Sequence, residues 1–107
     1  MSAPKVYIAG PMTGYPEHNY PAFHAAAAQL RQLGYQVENP AEHDLPDNAS
    51  WQAHLRHSIT RMLMCDAVLL LPGFSKSSGA AIEYQLACDL DIPVAWLSDV
   101  IEGAKIL

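Results

Sequence analysis

The stretch that most constrains this chain is Asp66-Ala67-Val68-Leu69-Leu70-Leu71-Pro72-Gly73. Its unbroken apolar run is too short for a buried helix and has no polar face to turn toward water. Such a run is a strand covered on both sides, and strands of that kind belong to parallel sheets flanked by helices. Pro72-Gly73 stops it, because neither residue continues a ladder well. The same run is the longest apolar segment in the 107 residues, so nothing here is long enough to span a membrane. With 50% apolar and 16% charged residues, the composition suits one packed domain, read as residues 1–107.

The rest of the chain reads as alternating strands and helices. Lys5–Ala9 is a first strand, stopped by Gly10-Pro11, and residues 12–19 form a loop. Tyr20–Leu33 reads as a helix with Pro21 in its first turn, strong helix formers at Ala25–Ala28, and Gly34 as its stop. Tyr35–Glu38 is a second strand, followed by a polar loop over 41–49. Ser50 can cap a second helix, whose Trp51, Leu55, Ile59, Met62 and Leu63 recur at helical spacing. After the strand Ala67–Leu71 come a loop over 72–79, a third helix over Ala80–Leu90, a strand over Ile92–Leu97, and a short helix in the last ten residues. The order predicts an α/β fold: a single-domain, open parallel sheet of four to five strands with helices on both faces and right-handed crossovers, flavodoxin/Rossmann-like.

Charge and cysteine content exclude several functions. Six basic against eleven acidic residues leave a net charge of −5, too acidic for a basic stripe on a nucleic-acid polymer. Cys65 and Cys88 lie far apart, so neither a disulfide framework nor a zinc site follows, and a reduced cytoplasmic setting is the default. The start lacks an apolar signal segment. His54 and His57, with Glu42-His43-Asp44 upstream, would need a further ligand to hold a metal; solvated helix-face histidines are the plainer reading. No metal is expected, and both cysteines read as small buried apolar residues.

Ligands of open parallel sheets bind beyond the carboxyl ends of the strands. Here those ends are Gly10-Pro11-Met12 and Pro72-Gly73-Phe74, whose small or rigid residues let a backbone approach a ligand. No GxGxxG and no GxxxxGK[ST] occurs, so dinucleotide and P-loop phosphate binding lack their sequence support. The sharpest signal is Glu83. On a helical wheel Gly79, Ile82, Leu86, Ala87 and Leu90 share one arc, and Glu83 falls in the middle of it. A carboxylate there must be paired, protonated or used. The bland alternative is a buried Glu satisfied by an Arg or by amides. Ahead of it, Ser75, Lys76, Ser77, Ser78 and Gly79 precede a helix N-terminus, where amides and hydroxyls suit a phosphate or sugar hydroxyl, or simply cap the helix. Tyr7 lies within the first strand, facing either the first or the third helix. Asp66 reads first as a turn residue.

Taken together, VYIAGPMTG (6–14), NYPAF (19–23), CDAVLLLPGFSKSSGA (65–80) and the Glu83 of GAAIEYQLA resemble the nucleoside 2-deoxyribosyltransferase superfamily. Within it the chain looks like the short phage- and bacterium-type, DUF4406-like members. The resemblance covers nearly the whole chain and implies a small parallel α/β domain. It further implies cleavage or transfer at the N-glycosidic bond of a 2'-deoxynucleoside or its 5'-monophosphate. Glu83 matches the attacking glutamate and Tyr7 the tyrosine that orients it. Gly10, Pro11 and Met12 would line the sugar and base pocket, and Asn19, Phe23, Asp66, Gly73 and Phe74 would complete it. Ser77, Ser78 and Gly79 match the loop that holds the 5' end. No cofactor is implied, and the family's habit of sharing a pocket between subunits implies a homo-oligomer. Two departures stand out: Ser58 lies near where many relatives place a base-handling Asp, and Phe74 and Ser78 stand where short relatives often have Trp and Arg.

Chemically, loss of the base builds positive charge at C1', which a nearby carboxylate can stabilise and trap as an ester. A binding module that captures a nucleotide unchanged is the alternative expectation. A purely structural domain, with Glu83 paired to Arg56 or Arg61, is the third.

Overall fold

The computed structural model describes residues 3–104. In chain order the elements are β1 (Lys5–Ala9), α1 (Tyr20–Gln32), β2 (Gln36–Glu38), α2 (Trp51–Met62), β3 (Ala67–Leu70), α3 (Ser78–Asp89), β4 (Val94–Trp96) and α4 (Leu97–Ile101). The four strands form one parallel sheet in the order β2-β1-β3-β4. The expected α/β architecture is therefore present, with four strands.

Strand pleating assigns the two faces. Val6 and Ile8 of β1 and Ala67 and Leu69 of β3 meet Phe23, Ala26, Ala27 and Leu30 of α1 and Leu97 and Val100 of α4. Tyr7, Ala9, Val68 and Leu70 point the other way, toward Met62 and Cys65 at the end of α2 and Ala87 of α3. The Tyr7 side chain thus belongs to the α2–α3 face. The chain leaves β1 for β2 on one side and β3 for β4 on the other. Strand order reverses between β1 and β3, and a crevice opens above that point.

Several boundaries differ from the sequence expectation for local reasons. The edge strands are shorter: the Tyr35 N–H bonds the Leu30 carbonyl, and the Ile92 N–H bonds the Ala87 carbonyl, so both close helix ends instead of extending strands. α3 begins at Ser78 rather than Ala80, because the Ser77 hydroxyl accepts the Ala80 N–H at 3.3 Å. The final helix starts at Leu97, and residues 105–107 of the expected terminal helix lie outside the described residues. The loop over 12–19 contains a short 3-10 segment, Pro16–Asn19, in which Glu17, His18 and Asn19 all have positive φ.

The helix faces also shift. α3 buries Ala80, Glu83 and Ala87, whereas Ile82 and Leu90, expected on the inner arc, are 43% and 52% exposed. Glu83 keeps its inner place, but smaller neighbours flank it, which lets α3 lie close to the sheet. On α2 only Met62 is fully buried, and Trp51 and Leu63 are exposed. Cys65 is buried as expected, but Cys88 is exposed.

Candidate active site

Glu83 enters the site from the second turn of α3, above the β1–β3 crevice, and is 5% exposed. The Tyr7 hydroxyl donates to its Oε2 at 2.5 Å. Among the described residues no lysine or arginine pairs with it: Arg61 is engaged by Glu38, and Arg31 by Glu42. Burial therefore dominates, and the Glu83 carboxyl is pushed up to about 7 even though the Tyr7 bond pulls the other way. Burial, and then the charge of Glu83, raise the Tyr7 phenol well above its ordinary value, so it stays a donor. Among the described residues no helix-start amide bonds Glu83, and Tyr7 is its one hydrogen-bond partner.

Both residues line a cavity of about 510 Å3, within the usual size for a small-molecule site. Gly10 and Met12 form one wall at the end of β1, and Ser77 and Gly79 another at the start of α3. Gly10 is required by close approach: a Cβ there would lie 2.8 Å from Leu71. Ser58 also lines the cavity and neighbours the Tyr7 hydroxyl, so the position where relatives carry an Asp does face the site.

The remaining expected site residues lie elsewhere. Phe23 is fully buried against the opposite face of the sheet, because its place on α1 turns it toward Val6 and Ile8. Asp66 precedes β3, at the far edge of the sheet, where its carboxylate accepts the Lys5 N–H at 2.8 Å. Phe74 packs against Tyr84 and Trp96, 5.1 and 5.4 Å between ring centroids, in a separate shallow cleft. Gly73 sits at φ +84 beside the Tyr15 hydroxyl, and Ser78 is exposed; neither lines the cavity. Pro11 is buried just behind the wall, and Asn19 reaches its carbonyl at 3.0 Å, so both shape the entrance without lining it.

A further wall of the cavity, of which only Ser58 was expected near the site, comes from two adjoining segments. Pro40, His43, Pro46, Asp47 and Ala49 from the loop after β2 line the cavity with Trp51, His54, Leu55 and Ser58 of α2. The signal was available: 51, 54, 55 and 58 are spaced as one helix face. His54 is half-buried on this wall. Its ring packs edge-on to His43 at 4.9 Å. His43 accepts the Leu45 N–H through Nδ1 at 3.2 Å, so its Nε2 carries the proton and donates to the Tyr20 hydroxyl at 3.1 Å. Burial and the neighbouring His54, His57 and Arg61 charges lower the affinity of His43 for a second proton. Among the described residues, no group of three or more His, Cys, Asp or Glu is arranged to hold a metal, and no helix is long and apolar enough to cross a membrane.

Comparison with known proteins agrees with this placement of the fold. A 2-deoxyribosyltransferase from Bacillus psychrosaccharolyticus superposes with a TM-score of 0.66 at 24% identity, over 84% of this chain and 69% of that one. A conserved protein from Enterococcus faecalis V583 superposes with a TM-score of 0.64 at 25% identity, over 87% of this chain and 62% of that one. The chain therefore spans less than two thirds of the second protein. No curated protein matches it. The fold is the nucleoside 2-deoxyribosyltransferase-like fold, and residues 4–96 match the domain-of-unknown-function family DUF4406, to which this chain belongs.

Proposed function

We propose that this protein cleaves, or transfers at, the N-glycosidic bond of 2'-deoxynucleosides or their 5'-monophosphates, with Glu83 as nucleophile. One observation carries the reading: a buried carboxyl, unpaired with any cation among the described residues, opens onto a cavity of small-molecule size. A structural glutamate would have a cation or amides, and no opening.

In the first step a Glu83 oxygen attacks C1', the bond to the base breaks, and its electron pair leaves with the base. An ester remains, which a second base resolves by transfer or water by hydrolysis. Tyr7 orients the carboxyl. Gly10 and Met12 approach the sugar, while Ser77 and Gly79 lie at the helix start suited to the 5' end. A 2-deoxyribosyltransferase among the similar structures supports the same chemistry.

The test is incubation with the four 2'-deoxynucleosides and their 5'-monophosphates, with and without an acceptor base, following free base by chromatography. Release by wild type and its loss in Glu83→Gln are the expected results; equal release by both defeats the reading. A second reading, capture of a nucleotide without turnover, draws on Ser58 standing where relatives place an Asp. It predicts calorimetric binding of a nucleotide that stays intact for hours. In either case the exposed apolar side chains Leu63, Met64, Ile82 and Leu90 are ones that a second copy of the chain would cover.

A further inference from the structure

The nucleophile accounts for one end of the reaction, and the leaving base needs a proton at the other. We infer that His54 is the group that supplies it, an assignment that rests on the function proposed above. Ser58 neighbours the Tyr7 hydroxyl, and Tyr7 bonds Glu83, so Ser58 marks the depth of the nucleophile. His54 lies one helical turn from Ser58, on the same cavity-lining face. Four residues rise about 6 Å along a helix. A sugar seated with C1' over Glu83 therefore directs its base toward the His54 ring.

His54 is also the half-buried imidazole of the cavity wall left free to act. Its neighbour His43 is committed, Nδ1 to the Leu45 N–H and Nε2 to Tyr20. Among the described residues no protein group bonds the ring nitrogens of His54, although its ring is held edge-on by His43. A fixed ring with uncommitted nitrogens, half-buried in a cavity wall, is what a positioned proton donor requires. The other titratable groups on the same cavity wall are His18, His43, Asp47, Tyr7, Tyr20 and Glu83. Of these, His18 and Asp47 are exposed, Tyr20 and His43 bond each other, and so do Tyr7 and Glu83.

The proton balance closes. As the C1'–N bond breaks, its electron pair goes to the base nitrogen while His54 imidazolium gives that base a proton and becomes neutral. When water attacks C1' of the ester, the Glu83–C1' bond breaks with its pair returning to the carboxylate. The proton from that water restores the imidazolium. The sum is one nucleoside and one water giving free base and deoxyribose.

The experiment compares two leaving groups on wild type, His54→Ala, His54→Gln and Glu83→Gln. One substrate is the best-cleaved natural 2'-deoxynucleoside, whose base needs a proton. The other is 4-nitrophenyl 2-deoxyriboside, whose phenolate leaves without one. Both His54 variants are expected to lose about 100-fold or more in kcat on the nucleoside, yet stay within about 3-fold on the nitrophenyl substrate. Glutamine keeps the bulk of the ring, so agreement between the two variants removes a folding explanation. Equal loss on both substrates, or no loss on either, overturns the assignment. If Glu83→Gln matches wild type on both, the nucleophile reading falls, while the two-substrate ratio still judges His54. If wild type releases neither leaving group, the function and this assignment fall together.

Discussion

Tyr7 and Glu83, 76 residues apart in sequence, meet at 2.5 Å in the floor of the cavity. The hydroxyl is the one polar partner that a 5%-exposed carboxyl has among the described residues. Replacing Tyr7 with Phe keeps the ring in the core and removes only that donor. The Tyr7 bond holds the Glu83 proton affinity down. Its loss should move the rise of kcat/KM to higher pH, so that base release falls more at pH 7 than at pH 9. Rate–pH profiles of wild type and Tyr7→Phe check this; an unmoved rise would mean that the hydroxyl does not tune the carboxyl.

The same burial predicts a stability signature. Glu83 titrates at about 7 in the fold against an ordinary 4.5, so the folded state holds its proton more tightly than the unfolded chain. Stability from this group is complete below pH 4.5 and is lost as pH rises to 7 and beyond. The span amounts to roughly 3 kcal/mol at most. Glu83→Gln removes the titration and keeps a hydrogen-bonding amide. It should match wild type near pH 4.5 and exceed it by about 1–3 kcal/mol at pH 8, read from urea unfolding at both pH values. An activity-dead variant that is also more stable at alkaline pH would mark Glu83 as held against its own preference.

The fold was legible because its central strands are apolar on both faces. Ala67–Leu70 and Val6–Ala9 could be read as strands without knowing their neighbours. The edge strands were overextended, since Tyr35 and Ile92 look like strand residues but give their N–H groups to helix ends. Glu83 was legible for a different reason: its charge stands out on an inner face whatever the flanking residues are, even though Ile82 and Leu90 turned out to be exposed. The α2 wall was not read, because its 51-54-55-58 face mixes Trp, His, Leu and Ser. Apolar periodicity takes Trp51 and Leu55 for core positions and leaves His54 to solvent, so the four do not come together as one wall. Phe23 was misplaced because a match within NYPAF (19–23) says nothing about which face of the sheet α1 covers.

Gly10 gives a test of the scaffold. A Cβ at this position would lie 2.8 Å from both Cβ and Cδ1 of Leu71, just past the ends of β1 and β3. Gly10→Ala must push the two strand ends apart or displace Leu71 from the core. A loss of about 1–3 kcal/mol in unfolding free energy is expected. Because the same glycine lines the cavity, KM should rise as well. Gly14→Ala is the comparison: nothing lies within 4 Å of its Cβ, so only the strain at φ +85 is added, costing about 1–2 kcal/mol without a change in KM.

Arg61 ties the α2 wall to the loop after β2. Its Nε donates to Glu38 Oε2 at 2.6 Å, and its Nη1 donates to the Glu42 carbonyl at 2.7 Å. Glu38 is shared with Lys5 at 3.2 Å. Burial alone would raise the Glu38 carboxyl, but Arg61 and Lys5 outweigh it and hold it below its ordinary value. The stabilisation is thus present above pH 4.5 and fades as pH falls through the lowered folded value. Arg61→Met keeps the apolar stem and removes both bonds. It should cost about 1–3 kcal/mol at pH 7, with the gap narrowing below the ordinary Glu38 value of 4.5. Since the freed loop carries Pro40, His43 and Pro46 into the cavity, KM should rise while kcat changes little. A fall in kcat at unchanged KM would mean that this clamp positions the reacting groups and not the wall.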